Sequence, residues 1–276
     1  MPFRRTFIVL IVAGLSALVL SLVRDAGGPR WRTLREGMEF TTLRGDPYCR
    51  RGSSEIAILR LDPAHVRLRM LHYSRDPGGV PLSIVEWQQR TGAFAVFNAG
   101  QYYPDLSYMG LLVSDGVRVS KRLHPEFRAA LVASPDDGRA GARVLDLDRD
   151  SLDPAAPGWR EVAQSFMLFD RGGRPRIRKS DGVANRTAVA QDGKGRLLVI
   201  TTEGSYTLWD FAQLLKKAPI GLSHAMSMDG GYEAELCVST PPFHYASFGQ
   251  WKGQGDVSDA PGAKVPLPAV IAVLAR

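Results

Sequence analysis

The spacing of apolar and polar residues changes period along the chain, and each change marks an expected element. Thr6 to Val23 is an uncharged run rich in Leu, Val, Ile and Ala, preceded by Arg4 and Arg5 and closed by Arg24 and Asp25. A run of about 18 such residues is at the short limit for crossing a bilayer and longer than a usual signal-peptide core. It is apolar on every face, which argues against a helix packed on one side only. The expectation is a signal-anchor over residues 1–25, retained rather than cleaved because no clear small-x-small site follows. The two arginines then stay on the cytoplasmic side and the rest of the chain lies outside the cytoplasm. Residues 26–47, with scattered Gly, Pro and Arg, read as a basic linker, and residues 48–276 as one domain.

Short periods follow. Residues 55–61 form an apolar run ended by an Asp-Pro turn, and His65 to Met70 alternates as a half-buried strand does. Ser83 and Glu86 have capping-box spacing, Ile84, Val85 and Trp87 supply one helical face, and Gly92 stands past the end. Ala93 to Phe97 lacks alternation, the pattern of a strand buried on both faces. Asp115-Gly116, Asp137-Gly138, Gly172-Gly173 and Gly193-Lys194-Gly195 punctuate hairpins. A second amphipathic helix opens at Thr207 and runs to Lys217, a strand at 225–228 leads to Asp229-Gly230-Gly231, and 265–274 reads as a closing strand. The pattern predicts an α+β fold of mixed or antiparallel multi-stranded sheets with a few amphipathic helices, in a single extracytoplasmic domain.

Composition agrees with a packed core: 276 residues, 45% hydrophobic and 23% charged, exclude a disordered chain. The formal net charge is +7, with arginines clustered at 24, 30, 32, 35, 44, 50 and 51. Beside a membrane such a cluster attracts anionic headgroups or phosphate-bearing polymers, or serves as a solvated stalk. Nucleic acid is not an expected partner, because the chain reads as exported and carries no recognisable binding module. The only cysteines, Cys49 and Cys237, exclude a thiolate zinc site, and in an oxidising compartment the expectation is that they pair.

Polar residues concentrate in three loops at strand ends: Asn98 to Tyr103, Asn185-Arg186-Thr187, and Asp229 to Glu233. Singly each reads as a turn, and Asn185-Arg186-Thr187 also matches a glycosylation sequon. In their order, the chain from about Ile56 onward resembles the phosphodiester glycosidase family. The resemblance rests on Phe97 to Tyr103, Gly110 to Gly116, Gln164 to Leu168, Asn185 to Ile200, and the helix and strand leading to Asp229-Gly230-Gly231. Ala99, Gln101, Tyr102 and Tyr103 depart from the family's glycine- and phenylalanine-rich loop. Tyr232 and Glu233 stand where glycine and serine are frequent, which leaves the substrate open.

The resemblance implies a hydrolase acting on a sugar-1-phosphodiester in an envelope or exopolysaccharide glycoconjugate. Such a reaction passes through an oxocarbenium-like state with phosphate as a good leaving group, so a carboxylate that activates water or steadies the cationic sugar is the main requirement. Asp229 is the first choice, with Glu233 as second carboxylate and Arg186 as a phosphate-binding fork. Gly230 and Gly231 allow positive φ and close ligand approach. Asn98, Gly100, Tyr102, Tyr103 and Thr187 are the remaining expected binding positions, and His124 is a proton carrier or a structural histidine. No serine elbow, phosphate-binding loop, dinucleotide fingerprint or paired-histidine motif occurs, and no metal or cofactor is expected. The alternative is a non-catalytic module binding anionic glycans on the same fold.

Overall fold

Strands that are apolar on both faces need a partner layer on each side, and the chain supplies both. The computed structural model describes residues 28–252, 256–257 and 265–276. Residues 28–30 have no regular structure, and the architecture below belongs to the unit Trp31–Arg276. The expected anchor, 1–25, lies outside the described residues. Among those described, no helix is long and apolar enough to cross a membrane.

One sheet has seven strands in the order Arg32–Arg35, Met38–Arg44, Glu55–Leu61, Leu197–Thr202, Thr187–Asp192, Leu222–Ser227, Met167–Phe169. A second has five: Phe243–Ser247, Leu236–Thr240, Ala95–Asn98, Ala269–Ala275, Val66–His72. A third joins Val117–Ser120, Leu112–Ser114, Trp159–Ser165, Ala129–Pro135 and Ala142–Asp146, and a small fourth joins Tyr206–Thr207, Val183–Ala184, Trp251–Lys252 and Asp256–Val257. Every pairing among the described strands is antiparallel, so the sheets are not mixed.

Period-two geometry assigns each side chain to a layer. Ala57, Leu59 and Leu61 enter the central core with Leu68, Phe97, Leu131 and Ile271 from the other two large sheets. Ile56 and Ile58, on the opposite face, pack with Phe211 and Leu215 of the helix Leu208–Lys217. Val96, between the inward Ala95 and Phe97, packs outward with Ile84 and Trp87 of the helix Ile84–Thr91. Each such fully buried aliphatic or aromatic side chain is worth roughly 1.5–3 kcal/mol. The first helix carries the expected capping box, Ser83 N–H donating to Glu86 Oε2 at 2.9 Å and Glu86 N–H to Ser83 Oγ at 3.4 Å, and ends on Gly92 at φ 63. Thr207 caps the second through the Asp210 N–H at 3.0 Å. The Asp115-Gly116 turn has both residues left-handed, φ 51 and 75, as a two-residue hairpin of type I′ requires.

Two expectations are corrected. The stretch 26–47 is largely not a linker, because Met38–Arg44 pairs with Glu55–Leu61 along its whole length and buries Met38 and Phe40. Arg32 and Arg35 are not part of a solvated stalk either, although Arg30 and Arg44 are exposed. The Arg32 guanidinium lies 4.8 Å from the Phe243 ring centre and that of Arg35 lies 3.6 Å from Phe94. The cysteines are both free thiols. Cys49 packs beneath the second helix and donates to Arg51 O at 3.3 Å, whereas Cys237 packs with the first helix and donates to Gln88 Oε1 at 2.9 Å. Different core clusters hold them, so no bridge ties the domain together.

Candidate active site

Three of the polar loops meet at strand ends, and two buried asparagines hold them together. Asn98, last in its strand, donates from Nδ2 to Asp229 O at 2.9 Å, and its Oδ1 accepts the Glu235 N–H at 3.2 Å. The Asp229 N–H donates to Ala99 O at 3.0 Å. Asn185 is wholly buried. Its Nδ2 donates to Thr202 O at 2.8 Å, its Oδ1 accepts the Gln250 and Trp251 N–H groups at 2.8 and 2.7 Å, and its carbonyl accepts the Gly231 N–H at 3.0 Å. A sequon asparagine with its amide so placed is closed to glycosylation in the folded chain. Asn98 is also buried with its amide spent on the backbone, so it positions Asp229 rather than facing a sugar.

Within this frame Asp229 is half-buried, and its Oδ1 accepts the Gly230 N–H at 2.9 Å. Burial, then the charge of Glu233, pushes its carboxyl up to about 7, against the opposing pull of that N–H, Lys252 and Arg186. Glu233 is buried and accepts the Tyr102 hydroxyl at 3.1 Å and Lys252 Nζ at 3.1 Å. Burial and the Glu233 charge raise the Tyr102 phenol, which keeps it a donor. Arg186 is fixed by two carbonyls: Nε donates to Tyr206 O at 3.0 Å and Nη2 to Gly182 O at 2.9 Å. Burial draws its guanidinium down to about 10, so it stays charged at neutral pH. Two of its five N–H groups are thus committed, leaving three for an anion rather than the whole fork.

The glycines act for different reasons. Gly231 sits at φ 83, the left-handed region, but Gly230 is extended, and what demands glycine there is crowding. A Cβ on Gly230 would lie 2.9 Å from Asn185 O and 3.3 Å from Arg186 Nη1. At Gly100 a Cβ would lie 2.5 Å from the Tyr108 hydroxyl, so this buried glycine serves packing and not a ligand. Thr187 is wholly buried and equally out of reach.

Tyr103 and His124 turn elsewhere, into a neighbouring cleft of about 680 Å³ that also contains His72. His124 stacks on Phe127 at 4.1 Å and accepts the Glu126 N–H at 3.3 Å, the setting of a structural histidine. Two site members escaped the sequence. Lys252 is brought in by the hold of Asn185 on the two residues before it. Glu235 is buried, neither carboxylate oxygen has a hydrogen-bond partner among the described residues, and burial with the Glu233 charge pushes it up to about 8. Its position six residues after Asp229, at the start of an apolar strand, was the available signal.

Comparison with known proteins bears on the family and the fold. The model of the phosphodiester glycosidase family matches residues 91–274. No curated protein matches the chain. A hypothetical protein from Synechocystis is similar in fold, with TM-score 0.61 at 13% identity over 91% of this chain, which spans 64% of that protein's own length. The catalytic domain of zebrafish N-acetylglucosamine-1-phosphodiester alpha-N-acetylglucosaminidase, auto-inhibited by its pro-peptide, is similar with TM-score 0.57 at 18% identity, over 90% of this chain and 82% of that one. At such identities the two structures speak for the fold, while the family match covers well over half of the sequence: the chain belongs to the phosphodiester glycosidase family.

Proposed function

We propose that this chain hydrolyses a sugar-1-phosphodiester in an envelope or exopolysaccharide glycoconjugate, held at the membrane by its N-terminal segment with the domain outside the cytoplasm. The observation that carries the reading is a carboxylate, Asp229, that burial and the neighbouring Glu233 hold near neutrality while the charges of Lys252 and Arg186 pull against them. A group with a pKa near the working pH is the most effective base for taking a proton from water. In its ionised form Asp229 would take that proton as water attacks the anomeric carbon. The departing phosphate, already a stable anion, would be received by the three N–H groups of Arg186 that the Tyr206 and Gly182 carbonyls leave open. Tyr102 and Lys252 hold the Glu233 carboxyl group in place beside the position where the cationic sugar would develop. The export reading rests on the uncharged run Thr6 to Val23 behind Arg4-Arg5.

The deciding measurement is turnover of a chromogenic sugar-1-phosphodiester by the purified full chain, with the activity rising as pH passes upward through about 7. Saturable binding without product release would replace the enzyme by the glycan-binding module. A reporter fused after Arg276 that works only in the cytoplasm would refute the location.

A further inference from the structure

A second charged cleft lies at the other end of the sandwich. In the strand Ala269–Ala275, Val270 pairs with Asn98 at the Asp229 end, while Ala275 pairs with Val66 at the far end. At about 3.4 Å per residue the two ends are roughly 17 Å apart. The far end opens into a cleft of about 490 Å³ whose walls include Arg67, Arg69, Arg139, Arg160 and Arg276.

Alternation along Val66–His72 builds its cationic wall. Val66, Leu68 and Met70 are buried in the core, so Arg67 and Arg69 share the opposite face. The two carboxylates that line the cleft, Asp115 and Glu161, have their closest hydrogen bonds with donors other than Arg67, Arg69 and Arg276. Glu161 is buried and accepts the Met70 and Asp115 N–H groups at 2.8 and 3.2 Å, stapling the strand to its neighbouring hairpin. Burial also pushes it up to about 7, which weakens its negative charge at neutral pH. Asp115 accepts Arg160 Nη2 at 2.5 Å, and Arg139 pairs with Asp137 at 2.6 Å. Arg69 makes loose ion pairs with Asp115 and Glu161, each at 3.9 Å and beyond hydrogen-bond reach, so its N–H donors are not used by either, and Arg276 gives one N–H to Pro63 O at 3.3 Å. Arg67 is exposed. Ser134, on the rim, is held at φ 54, a region that residues other than glycine seldom occupy and that clusters at functional sites.

We propose that this cleft is a phosphate-binding site separate from the Asp229 site, taking a phosphate mono- or diester group between Arg67, Arg69 and Arg276. Guanidinium donors left over from internal pairing match the several acceptor oxygens of a phosphate, and the position near the low-dielectric wall strengthens each charged contact. Because the site is independent of turnover, it stands whether or not the chain is an enzyme.

The test is the melting temperature of the full chain with inorganic phosphate against chloride at equal ionic strength. Saturating phosphate should raise it by about 2–4 °C through binding to the folded state. In an Arg186→Gln background, which removes the anion donors of the other site, Arg67→Ala, a change at an exposed position, should reduce the response at least several-fold, and Arg67→Glu should abolish it. Arg186→Gln, which alters only the other site, should keep it. A response unchanged in Arg67→Glu, or one lost in Arg186→Gln, overturns the proposal. Repeating the titration with poly(glycerol phosphate) separates the sources. A polymer response lost in Arg67→Glu assigns the site to polymer-borne phosphate, and a response to the inorganic ion alone assigns it to free phosphate.

Discussion

Asp229→Asn is the perturbation that separates a working carboxylate from a structural one, because the two readings move stability in opposite directions. The folded chain holds this carboxyl up at about 7, whereas in the unfolded chain it titrates near 3.8. Each tenfold change in proton affinity is about 1.4 kcal/mol, so the full difference corresponds to ~4 kcal/mol. Water contact at the half-buried residue screens part of it, and ~2–4 kcal/mol is the working range. A folded-state pKa above the unfolded one stabilises the fold fully below about 3.8, and that contribution is lost as pH rises to about 7. Asparagine never ionises, keeps the acceptor for the Gly230 N–H, and escapes the loss. The variant should therefore melt close to wild type at pH 4 and roughly 4–16 °C above it at pH 8. Glu161 and Glu235 titrate in both proteins and cancel in the difference. Turnover of the sugar phosphodiester should meanwhile fall by about 10²-fold or more. Calorimetry at both pH values and initial rates on the same preparations supply the readout. A melting difference that does not change with pH, or near-wild-type turnover, would refute the reasoning.

Other variants probe the frame. Lys252→Met removes a cation that lowers the Asp229 pKa, so the midpoint of the pH–rate profile should move up, and an unmoved midpoint would place Lys252 outside the site's field. Arg186→Lys should cut kcat/KM by about tenfold or more, since an ammonium cannot bind Tyr206 O and Gly182 O and still present paired donors to phosphate; unchanged steady-state kinetics would contradict this. Asn98→Ala should lower melting temperature and activity together, at a cost of about 2–4 kcal/mol for the lost struts between the two loops, as read by denaturant unfolding. Thiol titration of the denatured, unreduced chain should count two free cysteines, and a count of zero would restore the bridge.

Much of the local structure was legible in the sequence because its causes are local. A capping box, a glycine one residue past a helix, an Asp-Gly pair between apolar runs and an unbroken apolar strand each depend on neighbours within a turn or a pleat. The family order of the loops likewise marks Asp229, Arg186 and Glu233 as candidates. What the local pattern misread was whatever depends on distant partners. Arginines at 32 and 35 read as linker because the rings that receive them, Phe243 and Phe94, lie far along the chain. Asn98 and Gly100 read as ligand-facing because nothing nearby reveals that Asp229 and Tyr108 claim them.

Sequence alone therefore determined the elements, the antiparallel hairpins and the family, and it marked Asp229 as the candidate carboxylate. Tertiary structure decided its chemistry. Asp229 rises toward neutrality only because folding removes water from it and sets Glu233 beside it, and the opposing cation Lys252 arrives through hydrogen bonds that Asn185 makes 65 and 66 residues away. Secondary structure follows from short-range sterics and periodicity, but burial and charge coupling follow from which distant segments share one small volume, and that is settled only when the sheets pack.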